Sequence, residues 1–371
     1  MQRSMQIILV LCLLVVLGGV PLQAQEHGEM PVFRGRVVDV SIGGSQPNHE
    51  EHWETQVVKV RLSSGPHKNQ TIIVLNTLTG HPFFDLRVKM GDRVLLQGDF
   101  SGSRAEYYLT DFERGSPLIA VTLLFALSVA LIGGRQGIKA LVSLLVVGIV
   151  IATMILPLVL KGFNPIIVTV GMSSILTMLF ILFIGGYSKK TMAAISGTVG
   201  GLITSGILAF VVGKASYLTG LASGEAQMLQ YMDASINFQG ILFSGMIIGA
   251  LGAILDVGIS IASAMEQIKE ADPSTDFQTL FTRGLHVGRD LIATMSNTLI
   301  LAYVGSSLPL LLLFQANQSS WAQVFNLDLV ASEIVRAMTG SVGLTLAIPI
   351  TAFVAALLFV EPEHEGQNLS N

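Results

Sequence analysis

The sequence predicts a polytopic α-helical membrane protein with a small β domain near its N-terminus. Only 12% of the 371 residues are charged, and the mean hydropathy is +0.65. An average soluble domain carries roughly 25% charged residues. From Pro117 onward the chain is a series of apolar runs long enough to cross a hydrocarbon core about 30 Å thick. Residues 25–115 differ in kind: they hold five of the seven histidines and most of the alternating, β-branched segments.

The chain opens with MQRSMQIILVLCLLVVLGGVPLQA. Arg3 supplies a positive start, residues 7–20 an apolar core, Pro21 a helix break, and Leu22-Gln23-Ala24 a cleavage context. Residues 1–24 therefore read as a signal peptide cut after Ala24, or as a retained signal anchor. Either one delivers the next segment outside the cytoplasm. Cys12 is the single cysteine and lies in the apolar core. A disulfide framework, a zinc knuckle and an iron–sulfur cluster are all excluded by that count.

Within 25–115, five stretches alternate or are rich in β-branched residues: VFRGRVVDVS, TQVVKVRLS, QTIIVLN, DRVLLQGDF and AEYYLTDFE. Alternation places every second side chain on one face of a strand. Gly and Pro separate the strands, as in SSGPHKN and KMGDR. Five short strands in so little chain predict an OB-like barrel or a sandwich.

Seven spans are expected after signal removal: 117–134, 138–160, 165–186, 191–213, 239–264, 291–314 and 337–360. Placing 25–115 outside puts Arg135, Lys139, Lys189, Lys190, Lys269, Arg283 and Arg289 on the inner side. Lys161, Lys214 and Arg336 fall outside. This asymmetry is the positive-inside signature and agrees with the leader. It predicts a multi-pass protein of the cell membrane, spanning 116–361, with 362–371 as a cytoplasmic tail. Residues 214–238 should carry a short amphipathic surface helix. Phe277, Leu280, Phe281 and Leu285 share a helical face, which predicts a second one on the inner surface before the span at 291. No internal repeat is visible, so no inverted-repeat architecture is argued.

The few polar groups inside the apolar runs are the candidate site. Asp256 stands in GALGAILDVGISIASAMEQ, with Ser260 and Ser263 on its face and Glu266 beyond. An Asp at mid-membrane costs about 2.5–3.5 kcal/mol on insertion scales, so such a residue normally has a partner or faces water. Gly245, Gly249, Gly252 and Ala253 are small positions that let another helix approach. In GRDLIATMSNTLILAYVGSSLP, Asp290, Thr294 and Asn297 share a face at spacings of four and three. The two helices run antiparallel, so Asp256, Ser260, Thr294 and Asn297 should meet at one depth. Carboxylate, hydroxyl and amide oxygens suit a proton, a small cation or a polar solute. The same groups also serve as hydrogen bonds that hold a bundle together. Arg289 is either the partner of Asp256 or a marker of the inner surface. Asp290 and Glu266 are solvated or capping in one reading and functional in the other.

Gly197 and Gly201 form a small-xxx-small packing face, and Glu333 with Arg336 a local ion pair. Pro349 kinks the last helix, to gate a path or to fit the bundle. His49 and His52 with His67 or His81 are too loosely spaced for a metal site. No GxxxxGK[ST], HExxH or GxSxG pattern is present, and no histidine lies inside a span. His286 comes nearest, at the inner surface. The sequence therefore implies no catalytic residues, no metal, no cofactor and no nucleic-acid partner.

Three stretches carry a family resemblance: IIGALGAILDVGISIASAMEQI, GRDLIATMSNTLILAYVGSSLPLLLL and EIVRAMTGSVGLTLAIPITA, with KMGDRVLLQG as an echo in the β domain. Together they resemble the YibE/F family of bacterial multi-pass membrane proteins. The resemblance implies an integral membrane protein, often described as a permease, and supplies no solute. Two function classes follow. One is a permease or transporter component in the lipid bilayer, acting with other membrane subunits or as a homo-oligomer. The other is a membrane-anchored assembly protein whose outer β domain binds a partner or envelope ligand.

Overall fold

The computed structural model describes residues 30–43, 54–81, 85–100, 105–318 and 320–360. The leader with Cys12, the loop histidines His49 and His52, and the tail 362–371 lie outside those residues. The chain divides into two compact units with the boundary between Ile132 and Gly133.

The first unit contains β1 (Val32–Gly43), β2 (Glu54–Leu62), β3 (Thr71–Leu78), β4 (Arg93–Asp99) and β5 (Glu106–Phe112). These are the five expected strands. They form one antiparallel sheet in the order β3-β2-β1-β4-β5. The cause is the period-two pattern. Along β1, Phe33, Gly35 and Val37 point inward while Arg34 and Arg36 point out. Val58, Val60 and Leu62 do the same on β2, and Val94 and Leu96 on β4. These inward residues form a fully buried core with Val74 and Val88. Gly35 is required at its position: a Cβ there would lie 2.9 Å from Leu96 Cδ1 and closer still to Val60. β3 and β5 are not hydrogen-bonded to each other, so the sheet is a curled half-barrel and not a closed one. Phe33 meets Phe100 and Tyr107 edge-on, each at 5.8 Å. The Tyr107 hydroxyl lies 2.6 Å from His67 Nδ1.

The helices are α1 (Gly115–Leu160), α2 (Pro165–Gly185), α3 (Lys189–Ala215), α4 (Gly224–Met232), α5 (Phe238–Ala271), α6 (Phe277–Ser306), α7 (Leu308–Ala316), α8 (Trp321–Asn326) and α9 (Asp328–Phe359). Five of them, α1, α2, α3, α5 and α9, are long and apolar enough to span a bilayer. A sixth candidate is the bent pair α6–α7, with 59° between its parts. Four of the seven expected spans, 165–186, 191–213, 239–264 and 337–360, fall on α2, α3, α5 and α9, and the other three fall on interrupted helices. The runs 117–134 and 138–160 share one apolar helical stretch of 46 residues, which is two helices joined across a kink at Gly134 (φ 52°, ψ −132°). The kink precedes the connector Arg135-Gln136-Gly137, which already belongs to the second helix. The run 291–314 breaks at Ser307, because Pro309 in the first turn of α7 has no N–H to carry the helix through.

The expected surface helix before 291 also differs. α6 is continuous for 30 residues from its Asp276 cap, whose carboxylate accepts the Gln278 N–H at 3.3 Å. Its apolar face packs inside the bundle: Leu280 is fully buried. Phe277 and Phe281 stand edge-on to Phe353 of α9, at 5.7 and 6.3 Å. The short exposed helix expected between 214 and 238 is α4, capped by Ser223.

α3, α5 and α9 form the centre of the second unit. Small residues let them touch backbone to backbone. A Cβ on Gly201 would lie 2.8 Å from Gly343 O and 2.7 Å from Ile254 Cγ2. At Gly197 the Thr351 hydroxyl fills the place of the missing side chain. The small-xxx-small pattern is therefore a packing face. Pro349 is accommodated inside α9.

Candidate functional site

α5 carries one open face. Gly245, Gly249, Gly252, Asp256 and Ser260 follow it and are exposed, while Val257, Gly258, Ile261 and Ala262 turn into the core. α6 carries another, with His286, Asp290, Thr294, Asn297 and Thr298 exposed along its length. Two contacts set the antiparallel register between them. The Tyr303 hydroxyl sits over Gly249, 2.7 Å from where a Cβ would be, and Met265 Sδ sits 2.6 Å from the same point on Gly284. Equal rise along both helices then puts residues 293–296 of α6 level with Asp256. Thr294 lies in that window and Asn297 one step beyond it.

Depth is thus shared, but contact is not. Among the described residues Asp256, Ser260 and Asn297 have no hydrogen-bond or ion-pair partner. Thr294 Oγ1 donates to its own helix, to Leu291 O at 3.2 Å. The Thr298 hydroxyl donates to Thr294 O at 2.9 Å. Arg289 is exposed and does not pair with Asp256. Asp290 is exposed, and Ser263 is half-buried. Glu266 is the exception: it pairs with Lys190 of α3 at 2.6 Å. The predicted Glu333–Arg336 pair forms at 3.0 Å. Gly245 and Gly252 face open space, and only Gly249 is used for close approach, by Tyr303.

Tyr303 is the residue that sequence reasoning missed. Its hydroxyl is buried without a hydrogen-bond partner, as is Nε of Arg336. Both belong to the region where α6 breaks. A cavity of about 180 Å³ lies there, walled by Tyr303 and Ser307 of α6, Leu311 of α7, and Val330, Glu333 and Ala337 of α9. It is an apolar chamber with one carboxylate and one orphan hydroxyl at its edge. The Gly249 level lies seven residues, about 10 Å, from Asp256 along α5. The available signal was the Pro309 break next to a Tyr in an apolar run. No group of three or more His, Cys, Asp or Glu able to hold a metal occurs among the described residues.

A curled five-strand sheet followed by several membrane-length helices, with a carboxylate on an open helix face, fits a multi-pass membrane protein. The model for YibE/F-like proteins matches residues 121–361, and that for the YibE/F family N-terminal domain matches residues 34–112. The chain belongs to the YibE/F family. No curated protein and no solved structure matches it.

Proposed function

We propose that the chain is a permease or transporter component that moves a proton, a small cation or a solute coupled to one of these. The path follows the open α5–α6 face. The observation that carries this reading is Asp256, a carboxylate with no partner among the described residues, on a membrane-length helix and level with the polar face of α6. Ionisable residues at such depth are costly and mark ion and proton paths. The chamber at the α6–α7 break adds support, because interrupted helices commonly form transporter binding sites. Asp256, Ser260, Thr294 and Asn297 are assigned to the path. Ser263, Arg289 and Asp290 flank it, and Glu266 anchors one end through Lys190.

The same reading sets the orientation. Lys139 donates to the Phe183 and Ile184 carbonyls at the C-terminus of α2, at 3.3 and 3.4 Å. Lys190 pairs with Glu266. These cations gather at one end of the bundle, which we take as cytoplasmic by the positive-inside rule. With a cleaved leader, the β unit is then extracytoplasmic and the tail cytoplasmic, in a bacterial cell membrane. We read the half-barrel as an OB-type barrel opened between β3 and β5. No reaction is assigned to the chain.

The test is proton uptake by proteoliposomes holding a pH-sensitive dye, driven by a potassium diffusion potential. Asp256→Asn should abolish uptake at equal amounts of folded, inserted protein. Equal uptake by the two proteins would sink the proposal. A second reading, an assembly protein acting through its β unit, rests on the separate core of that unit. Deleting 25–115 should then abolish partner capture and leave proton movement intact.

A further inference from the structure

The outer face of the β sheet carries a row of arginines that the path does not use. Arg36 on β1 stands directly opposite Arg61 on β2 and directly opposite Arg93 on β4. Arg34 lies two residues before Arg36 on the same face, and all four are exposed. Side chains directly across an antiparallel pair have Cβ atoms about 4.5–5.5 Å apart, and like charges there destabilise the sheet. The row is not an edge guard, because β2, β1 and β4 are the three inner strands of five.

Little among the described residues neutralises it. Arg36 Nε donates to Gly91 O at 3.3 Å, and an Arg93 guanidinium nitrogen to Ser116 Oγ at 2.8 Å; both acceptors are neutral. Arg61 has no partner among the described residues. Arg34 has Glu113 at 3.8 Å. The other nearby carboxylates are engaged elsewhere. Asp39 holds Lys59 at 2.9 Å, and Asp111 pairs with Arg114. Asp92 accepts the Lys89 N–H at 2.8 Å. Among the described residues, Glu113 is the one carboxylate ion-paired with any of the four guanidinium groups.

The position of the row says what covers it. Arg93 reaches Ser116, the second residue of α1, and the unbroken apolar run PLIAVTLLFALSVALI begins one residue later. The row therefore ends where the chain passes from polar to apolar surroundings. That level is occupied by phosphate headgroups, which arginine binds through two parallel N–H donors. We propose that the arginine face of the sheet docks on anionic phospholipid headgroups of the bilayer that α1 enters. The inference stands apart from transport: it concerns the β unit and the first turns of α1 alone.

Full-length protein in nanodiscs tests it. A Cys12→Ser, Thr71→Cys variant places an environment-sensitive dye on β3 directly opposite Arg61. Headgroup-nitroxide lipid should quench the dye in discs of phosphatidylcholine with phosphatidylglycerol, and far less in phosphatidylcholine alone. High salt should remove the difference. Each arginine replaced by Gln should weaken the lipid preference about fivefold, so that Arg36→Gln/Arg61→Gln nearly abolishes it. Arg61→Lys should largely keep it. In lipid-free detergent the double variant should unfold at no lower temperature than the parent, because repulsion is relieved. Equal quenching in both lipids, or no effect of the double variant, overturns the proposal. Reversal by inorganic phosphate at matched ionic strength also overturns it, since the site would then belong to free phosphate. A double variant that unfolds at lower temperature shows the row to be structural and overturns it as well.

Discussion

Asp85 shows how one carboxylate can hold a loop of the β unit. It accepts the Thr79 and Gly80 backbone N–H groups, each at 2.6 Å, and the Thr79 hydroxyl at 2.9 Å. The Thr79 N–H is the main reason its pKa lies below the ordinary 3.8. A group shifted down contributes stability that is complete above its unfolded pKa and is lost as pH falls through the folded value. Amide exchange at Thr79 and Gly80, corrected for intrinsic rates, should therefore rise as pH drops below 3.8, and Asp85→Asn should remove the transition. An unchanged profile in Asp85→Asn would show that the loop is held by something else. Asp256 is a contrasting residue. One turn away on its exposed face of α5 are Gly252 and Ser260, and no donor among the described residues reaches it.

At the scale of elements, glycine has two separable uses in this helical unit. Gly201 is a contact, since a side chain there would enter the space of Gly343 O and Ile254. Gly201→Val should destabilise the unit by about 1–3 kcal/mol, as overpacking does, measured as a lowered unfolding temperature in detergent. Gly245 faces open space, so Gly245→Ala should leave that temperature unchanged or slightly raised, given the better helix propensity of Ala. If both variants behave alike, the α3–α9 contact does not limit stability. The break between α6 and α7 is the other device at this scale. Pro309→Ala restores an N–H and should let α6 run on past Ser307. A spin-label distance between the ends of α6 and α7 would then lengthen, because a 59° bend is relieved.

For the whole molecule, the relevant fact is that the two units have separate cores. Leu96 is fully buried in the β core. Leu96→Ala should cost that unit about 2–5 kcal/mol. It should lower one of two calorimetric transitions and leave the other in place. A single transition moving as a whole would mean that the units unfold together. Much of this division was legible in advance. Period-two alternation located all five strands, because one face of each must be apolar. Apolar length located α2, α3, α5 and α9 to within a few residues, except where α5 runs on to Ala271 and α9 extends back to Asp328. The form of the interruptions at Gly134 and at Ser307 was not legible: the first is a kink between two helices and the second a 59° bend. Both lie inside or between apolar runs, where hydropathy does not reveal whether the chain turns, bends or continues.

The sequence by itself determined the class of the molecule, its β and helical parts, and the polar residues worth watching. Composition and periodicity act locally, and each residue carries them without help from distant ones. Only the tertiary structure decided which residues face which. It set Asp256 level with Thr294 but left the two unjoined, and it gave Glu266 to Lys190. It placed Tyr303 over Gly249 beside a chamber, and it aligned Arg61, Arg36 and Arg93 across three strands. Register between elements depends on many side chains packing at once, and no single stretch of the chain encodes it.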